Sequence, residues 1–187
     1  FTFTEQPDVA VNLSHNGTKG SLQMEGTLSA TDYSCVGEPL ETLEIGMAYS
    51  NRVLVLDPLR VGREEQQFDG NVKLNFKQKL ALFSATNQFA PTALAHILAP
   101  GKPTVFDWFA FNGPIDSIGS GQIDYGTWTN HAFNGTIQAK QVSGAGFTVD
   151  AFKTEIQGIG TRLLFTNSLM DFCGGLVDGY AEFDLLL

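Results

Sequence analysis

The feature that most constrains the fold of this chain is an internal repeat. Residues 22–76 align with residues 131–185 without a gap, at a constant offset of 109 positions. The alignment places Gly26 on Gly135 and keeps apolar character at many other positions. A fixed period of this kind is typical of chains built from copies of one supersecondary unit. We therefore predict two tandem copies of the same unit.

The repeated unit has the pattern of β-strands. In Leu22–Ala30, apolar residues at positions 22, 24, 28 and 30 alternate with polar ones, which is the period of a half-buried strand. The 20 Gly and 15 Phe of the chain also favour short strands joined by turns over helices. We predict a mostly β fold in which two copies of a multi-strand antiparallel unit form a curved sheet or groove.

Several local patterns give more specific expectations. Asn71–Leu82 predicts one long strand with Val72, Leu74, Phe76, Leu80 and Leu82 on one side. Asp-Gly pairs favour tight hairpins, and the remaining glycine pairs are typical of bulges, turns or kinks. The Asp-Gly pairs are Asp69-Gly70 and Asp178-Gly179, and the others are Gly119-Ser-Gly121, Gly158-Ile-Gly160 and Gly174-Gly175.

The repeat also orients a strand that periodicity alone leaves ambiguous. The run Val53–Leu56 is apolar on both faces, but it aligns with Arg162–Phe165. Arg162 is costly to bury without a partner, so Leu163 and Phe165 should face inward. By the alignment, Leu54 and Leu56 should do the same.

The segment between the copies breaks the strand pattern. Pro91 suits the first turn of a helix and Pro100 follows its end, with Leu94, Ile97 and Leu98 on one face. We predict one short helix that covers an open side of the sheet. The chain is then a single domain, 1–187, with a first repeat at 1–85, a connector at 86–108 and a second repeat at 109–187.

Charge and hydropathy argue against several classes of partner. The chain has 11 basic and 20 acidic side chains, a formal charge of −9, and no Lys/Arg run. Nucleic acid is not expected as a partner, because neutralising phosphates requires a basic surface. No apolar run approaches the roughly 20 residues that a membrane-spanning helix needs.

A first residue of Phe1 rather than Met predicts a processed precursor or an excised fragment.

The sequence contains no catalytic signature. His15, His96 and His131 are isolated, and none has a second ligand at helical spacing; the residues themselves suggest a loop His15, a helix His96 and a strand-edge His131. No spacing selects two carboxylates as an acid–base pair from the available ones. Those carboxylates are Asp57, Glu64, Glu65, Asp69, Asp171 and Asp178. We expect no enzyme, cofactor or metal site.

An aromatic set near the junction of the copies has two interpretations. The set would line a carbohydrate or lipid site, or it would be core where two copies meet. It consists of Phe106, Trp108, Phe109, Phe111, Tyr125 and Trp128.

Cysteines and sequons also leave alternatives open. Cys35 and Cys173 are either two separate small hydrophobes or a disulfide between the halves, which would indicate an oxidising compartment. Sequons at Asn12, Asn16 and Asn134 would carry glycans in a eukaryotic secreted protein, although Asn-Gly is also common turn chemistry.

Several segments resemble the repeats of bacterial AsmA/TamB-like envelope proteins. They are Gly119–Gly126, Asn134–Ala139, Ala145–Asp150, Gly174–Asp184, Gly26–Ala30 and Phe68–Leu74. The resemblance implies a bent β-sheet in the periplasm with an apolar concave side that guides lipid acyl chains between membranes, or that assists outer-membrane assembly. The chain departs from that family in its shortness and in having no membrane anchor.

These observations predict a non-enzymatic module of the cell envelope, periplasmic or extracellular, that binds or guides lipid acyl chains. The partners would be acyl chains or other envelope protein segments, with self-association through sheet edges. The alternative is a structural surface or fibre-forming β protein whose apolar face is only core. The predicted groove residues are Leu28, Leu54, Leu56, Val72, Leu74, Phe76, Ile137, Leu163, Phe165 and Phe183.

Overall fold

The chain folds into one open, curved antiparallel sheet. A computed structural model describes residues 2–15, 17, 22–93, 105–127, 129–144 and 146–184. Within them thirteen strands follow one another through the sheet in nearly sequential order. They are β1 Thr2–Phe3, β2 Asp8–Ser14, β3 Gln23–Cys35, β4 Glu38–Ser50, β5 Val53–Arg63, β6 Gln66–Asn75, β7 Leu80–Asn87, β8 Phe109–Phe111, β9 Ile115–Asp124, β10 His131–Gly144, β11 Phe147–Gly160, β12 Arg162–Phe172 and β13 Gly175–Asp184. The predicted mostly β class is confirmed.

Two long strands each pair with an interrupted neighbour. One end of β3 pairs with β1 and the remainder with β2, while β10 pairs in the same way with β8 and β9. Every other strand pairs with the next one along the chain, and β7 pairs with β9. The halves of the chain therefore join in a continuous ladder of hydrogen bonds.

The buried core lies at one end of the first half. It combines side chains of β3 and β4 with Phe89, which follows β7 and is 2% exposed. The Arg63 guanidinium lies 5.6 Å from the centre of the Phe89 ring. The buried members are Ala30, Tyr33, Cys35, Leu40, Leu43 and Phe89, and Phe3, Leu28, Ile45, Val61 and Phe68 pack against them.

The connector contains helical structure where the sequence predicted it. A helix begins at Pro91 and is described as far as Ala93, which is buried. The residues predicted to face the sheet, Leu94, Ile97 and Leu98, lie outside the described residues, as does His96. A short 3-10 helix, Val105–Trp108, precedes β8.

Strand bounds and irregularities recur in the two halves at the offset of the sequence repeat. β5 and β12 begin and end 109 residues apart, as do β6 and β13. The register shift between Leu56 and Leu59 recurs between Phe165 and Ser168. Left-handed backbone also recurs, with φ of 47° at Asp32 and 53° at Gln141.

The predicted Asp-Gly hairpins are wrong. Gly70 lies inside β6 opposite Ala85, and Gly179 lies inside β13 opposite Ser168. A Cβ atom on Gly70 would lie 2.7 Å from the Ala85 Cβ, so this glycine allows two strands to approach closely. At Gly70, the Asp-Gly pair therefore marks a close approach between strands rather than a turn.

Two further predictions of strand shape are corrected. Asn71–Leu82 is two strands, because Phe76–Lys79 forms a turn in which the Asn75 carboxamide accepts hydrogen bonds from the Lys77 and Gln78 amides. The turn changes the phase, so Leu82 is exposed and Phe83 faces the same side as Val72. Gly119 and Gly121 lie inside β9, whereas Gly174, with φ of 73°, does form the predicted kink between β12 and β13.

Candidate functional site

One face of the sheet carries two adjacent rows of apolar side chains and glycines, here called the central rows. Each row runs across the strands and contains one residue from each of eleven successive strands, read from the pairing register. The first row is Val11, Gly26, Met47, Leu56, Val72, Phe83, Gly121, Phe133, Gly158, Leu163 and Phe183. The second is Val9, Leu28, Ile45, Leu59, Gly70, Ala85, Gly119, Gly135, Ile156, Phe165 and Ala181.

The length of this apolar strip follows from strand spacing. Eleven neighbouring strands are separated by ten spacings of about 4.8 Å, so each central row extends for about 50 Å along the sheet. Neither row contains a charged or hydrogen-bonding side chain. Such a continuous strip is the pattern of a surface that must be covered by something apolar.

An extra residue in β5 preserves the strip, because it lies between the row members Leu56 and Leu59. A matching extra residue in β12 follows Phe165 and lies beyond the central rows. In each strand three residues occupy the length of two on the neighbouring strand, at residues 56–59 and 165–168. Without the extra residue, everything beyond it would turn to the opposite face, because side chains alternate along a strand.

The predicted groove residues share this face. Leu28, Leu56, Val72, Leu163, Phe165 and Phe183 belong to the central rows. Leu54 and Leu74 form a pair in the row next to them, and Ile137 borders the strip on the other side. Phe76 follows β6 in the turn, where its ring centre lies 6.4 Å from that of Tyr49.

Sequence reasoning missed part of the strip. Met47, Phe83, Phe133 and Ile156 were not predicted, although each is apolar and in phase with its neighbours. Periodicity within each strand would have found Met47, Phe133 and Ile156, whereas the face of Phe83 depends on the turn before β7. The glycines of the strip carry no such signal, because their role depends on the strand beside them.

An apolar hollow of about 210 Å³ lies on this face where the two halves meet. Gly119 and Gly135 leave space between Ala85 and Ile156, and the rings of Phe83 and Phe133 flank it with their centres 6.1 Å apart. Gly121, with φ of 145°, passes between the two rings, and a Cβ there would lie 2.4 Å from the Ala132 carbonyl oxygen. Gly119 and Gly135 therefore form the floor of the hollow.

Hydrogen-bonded polar side chains border the strip. The side-chain amide of Asn87 donates a hydrogen bond to Ser117 Oγ at 3.2 Å. Ser117 Oγ in turn donates to the backbone carbonyl oxygen of Asn87 at 3.1 Å. The hydroxyls of Thr154 and Ser168 are 2.7 Å apart. Asn87, Thr154 and Ser168 are buried, Ser117 is partly buried, and their hydrogen bonds satisfy them at the border of the apolar strip.

Large aromatic side chains along the strip are only partly covered. Phe183 is 56% exposed, and its ring packs edge-on against Phe165 with centres 5.8 Å apart. Phe76 is 48% exposed. In the described part of the chain, no second sheet packs on this face. The face is therefore open rather than the inside of a sandwich.

The opposite face carries ion pairs and polar side chains, together with single exposed apolar residues such as Leu82 and Ile118. Arg60 reaches Glu44 and Asp69 at 3.0 Å each, which raises the pKa of its guanidinium. Arg162 reaches Glu182 at 3.2 Å, and the side chain of Arg162 is 54% exposed, as its predicted outward orientation requires. Hydrogen bonding from the Tyr180 hydroxyl, followed by the Arg162 contact, holds the pKa of Glu182 below its usual range. A broad depression of about 510 Å³ on this face is lined by polar side chains including Ser120, Asn134 and Gln157.

The cysteines do not form a disulfide. Cys35 is buried at the end of β3, and Cys173 is exposed in the turn between β12 and β13. Seven strands separate β3 from β12 in the sheet order, so pairing would require the fold to break.

The positions of two histidines and of the junction aromatics bear on the sequence predictions. His131 is the first residue of β10 and is 3% exposed beside Phe133, with ring centres 6.3 Å apart. His15 Nδ1 accepts a hydrogen bond from the Gly17 amide. Trp108 is 74% exposed, so the interpretation of the aromatic set as one junction core is wrong for this residue. Trp128 lies outside the described residues.

The described residues include neither a metal-binding cluster nor a membrane-spanning helix. Among them, no three His, Cys, Asp or Glu side chains are placed to hold a metal ion. Within the same residues, no helix has both the length and the apolar character needed to cross a membrane.

Comparison of the chain with protein-family models, curated proteins and solved structures finds no significant match.

Proposed function

We propose that this chain is a non-enzymatic β-groove module that binds lipid acyl chains along its central rows. The observation that supports this function is the continuity of an open apolar strip over eleven strands. An exposed strip of this size is costly in water and is stabilised by an elongated apolar ligand. A hydrocarbon chain is narrow and extended, as the strip is.

Burying an acyl chain on the strip would supply enough free energy for detectable binding. Each buried methylene contributes about 0.8 kcal/mol, so a chain of about twelve methylenes contributes on the order of 10 kcal/mol before ordering costs. The hollow beside Phe83 and Phe133 offers apolar contact near the middle of the strip. A charged head group would remain at the border of the sheet, in water.

We also propose that the two halves are tandem copies of one unit. Matching strand bounds, register shifts and left-handed residues support this interpretation. On the resemblance of its strands to AsmA/TamB-like repeats, the module would act in the cell envelope, in the periplasm or at the cell exterior. Its partners would be acyl chains and neighbouring segments of envelope proteins.

A structural role is the second candidate. In this alternative the strip is covered by assembly of sheets, and strand edges join neighbouring molecules. Exposed apolar residues along β2, namely Val9 at 58% and Leu13 at 67%, favour contacts at the edge of the sheet. Retained lipid in native mass spectra supports the groove, whereas a ladder of lipid-free oligomers supports the structural role.

Photo-crosslinking tests the groove directly. A photo-reactive residue is placed at Leu74 or Phe183 on the apolar face, and at the adjacent Lys73 or Glu182 on the polar face as a matched control. With native lipid extract, we expect severalfold stronger lipid labelling at the apolar positions. Equal labelling of the two faces would reject an acyl-chain groove and leave the structural role ahead.

A further inference from the structure

The outer edge of β13 is an uninterrupted strand of ten residues with no strand beside it among the described residues. β13 contains neither Pro nor Lys, two residues that commonly protect edge strands. The opposite edge of the sheet is different, because the chain breaks between β1 and β2, and Pro7 lies in that break. The edge at β13 is therefore the better template for another strand.

Two glycines at equivalent positions show how a strand would fit. Gly70 in β6 faces β7, where an added Cβ would lie 2.7 Å from both the Ala85 Cβ and the Ser84 carbonyl oxygen. Gly179 in β13, 109 residues later, has no atom within 4 Å of the same point. In β6 the absent side chain admits the neighbouring strand, whereas in β13 that space is vacant.

The side chains of β13 define the chemistry of the missing neighbour. Leu176 is 74% exposed and Val177 is 43% exposed, so apolar contacts remain available on both sides of the strand. The charged side chains of β13, Asp178, Glu182 and Asp184, are all acidic. A neighbour with basic or neutral polar residues on its solvent side fits this charge, and one with acidic residues does not.

We propose that β13 binds an extended segment of a partner protein as an added antiparallel strand. This segment places a small residue opposite Gly179 and a large apolar residue opposite Ala181, as β7 places Ala85 and Phe83 opposite Gly70 and Val72. Backbone hydrogen bonds along the edge supply the affinity, and the vacant space at Gly179 supplies the selection for a small residue. This site lies on the edge of the sheet and does not depend on the acyl-chain groove.

The probe is a labelled synthetic peptide with the sequence of residues 79–88, which carries β7 and its preceding Lys79. Binding to the full chain is measured by fluorescence anisotropy, together with amide hydrogen exchange in β13. We expect saturable binding and slower exchange at the amides of β13. The variant Gly179→Val should weaken binding at least tenfold, because its side chain fills the space that Ala85 of the peptide needs.

The matched control is Tyr180→Thr, which also introduces a β-branched residue but on the polar face and without changing the charge. It should change peptide affinity by less than threefold. The melting temperature of Gly179→Val should equal that of the wild type, because its Cβ meets no atom within 4 Å. This equality separates a blocked edge from a damaged fold.

Three outcomes would overturn the proposal. The first is no peptide binding at millimolar concentration, and the second is equal binding to wild type and Gly179→Val. The third is concentration-dependent dimers in analytical ultracentrifugation that Gly179→Val abolishes, since these would identify the occupant as a second copy of the chain.

Discussion

At the scale of single residues, exposure separates the real core from the open strip. Phe89 and Phe183 are both phenylalanines on apolar surfaces, but the first is 2% exposed and the second 56%. The sequence does not indicate which of the two side chains is more exposed. Their difference arises because Phe89 is enclosed by the ends of β3 and β4, whereas Phe183 lies in the last strand of the sheet order.

We predict that Phe183→Asp lowers the free energy of unfolding by less than about 1 kcal/mol, because the new charge remains in water. The matched variant Phe89→Asp should cost more than about 3 kcal/mol, since it removes a buried ring and buries a charge. Urea midpoints of both variants measure the difference. A cost above about 3 kcal/mol at Phe183 would show that the strip is sealed.

The buried phenol of Tyr33 should make the stability of the core depend on pH in the alkaline range. Burial, with a smaller contribution from Cys35, raises the pKa of Tyr33 from 10.0 to about 12. The folded protein therefore holds the neutral, protonated phenol more tightly than the unfolded chain does. This contribution is fully present below pH 10 and is lost as the pH rises from 10 towards 12.

We expect the free energy of unfolding to fall by about 2 to 3 kcal/mol over that interval because of Tyr33. Tyr33→Phe removes the titrating group and should flatten this part of the curve, at the expense of a long hydrogen bond to the Thr42 carbonyl oxygen. Urea denaturation of the wild type and Tyr33→Phe at several pH values from 9 to 12 tests this difference in slope. An unchanged slope in the variant would assign the alkaline loss to other groups.

At the scale of elements, turns decide which face each strand presents. Asp124 organises the connection from β9 to β10 by accepting hydrogen bonds from the Thr127 hydroxyl at 2.6 Å and the Gly126 amide at 2.8 Å. The Thr127 amide adds a third bond at 3.0 Å. These bonds, led by that of the Thr127 hydroxyl, hold the pKa of Asp124 below its usual range.

The folded state lowers the pKa of Asp124, so the ionised carboxylate stabilises the fold at pH values above the ordinary aspartate pKa. This stabilisation is lost as the pH falls through the lowered pKa. Asp124→Asn should therefore lower the melting temperature at pH 7 and reduce the loss of stability on acidification. The control is Asp8→Asn, which replaces an exposed carboxylate of β2. It should change neither the melting temperature at pH 7 nor the loss of stability on acidification. Calorimetry from pH 7 to 3 makes the comparison, and identical acid profiles of wild type and Asp124→Asn would contradict it.

At the scale of the whole molecule, the sheet has two faces, and the buried cluster around Phe89 lies at one end of its first half. Most of the central rows are thus stabilised by contacts between neighbouring strands rather than by a second layer. A ligand that covers the strip in the folded state alone should raise its stability by mass action.

We predict that a soluble long-chain fatty acid at about 100 times its Kd raises the free energy of unfolding by about 2.7 kcal/mol, with a higher melting temperature. Gly119→Leu should reduce this shift, because its side chain fills the hollow while its Cβ makes only ordinary contacts at 3.6 Å. Ser120→Leu adds the same side chain to the polar face as a control. Equal shifts in both variants would remove the hollow from the binding site.

The sequence by itself determined the strand-rich class and the apolar side of most strands. Alternation is a local property, so Leu28, Val72 and Leu74 were assigned from their own strands to the face on which they lie. Arg162 oriented Leu163 and Phe165, because the cost of burying an unpaired charge is also independent of the partner strand. The alignment of the two halves extended that orientation to Leu54 and Leu56.

Only the tertiary structure decided what lies beside each strand. Gly70 was predicted in a turn, yet it is required inside β6 because Ala85 approaches it from a strand that follows later in the chain. Leu82 and Phe83 exchanged faces because one turn shifted the phase of β7. Register and coverage depend on pairing between distant residues, and no single strand carries that information. For the same physical reason, the continuity of the central rows and the vacant space at Gly179 became visible only in the assembled sheet.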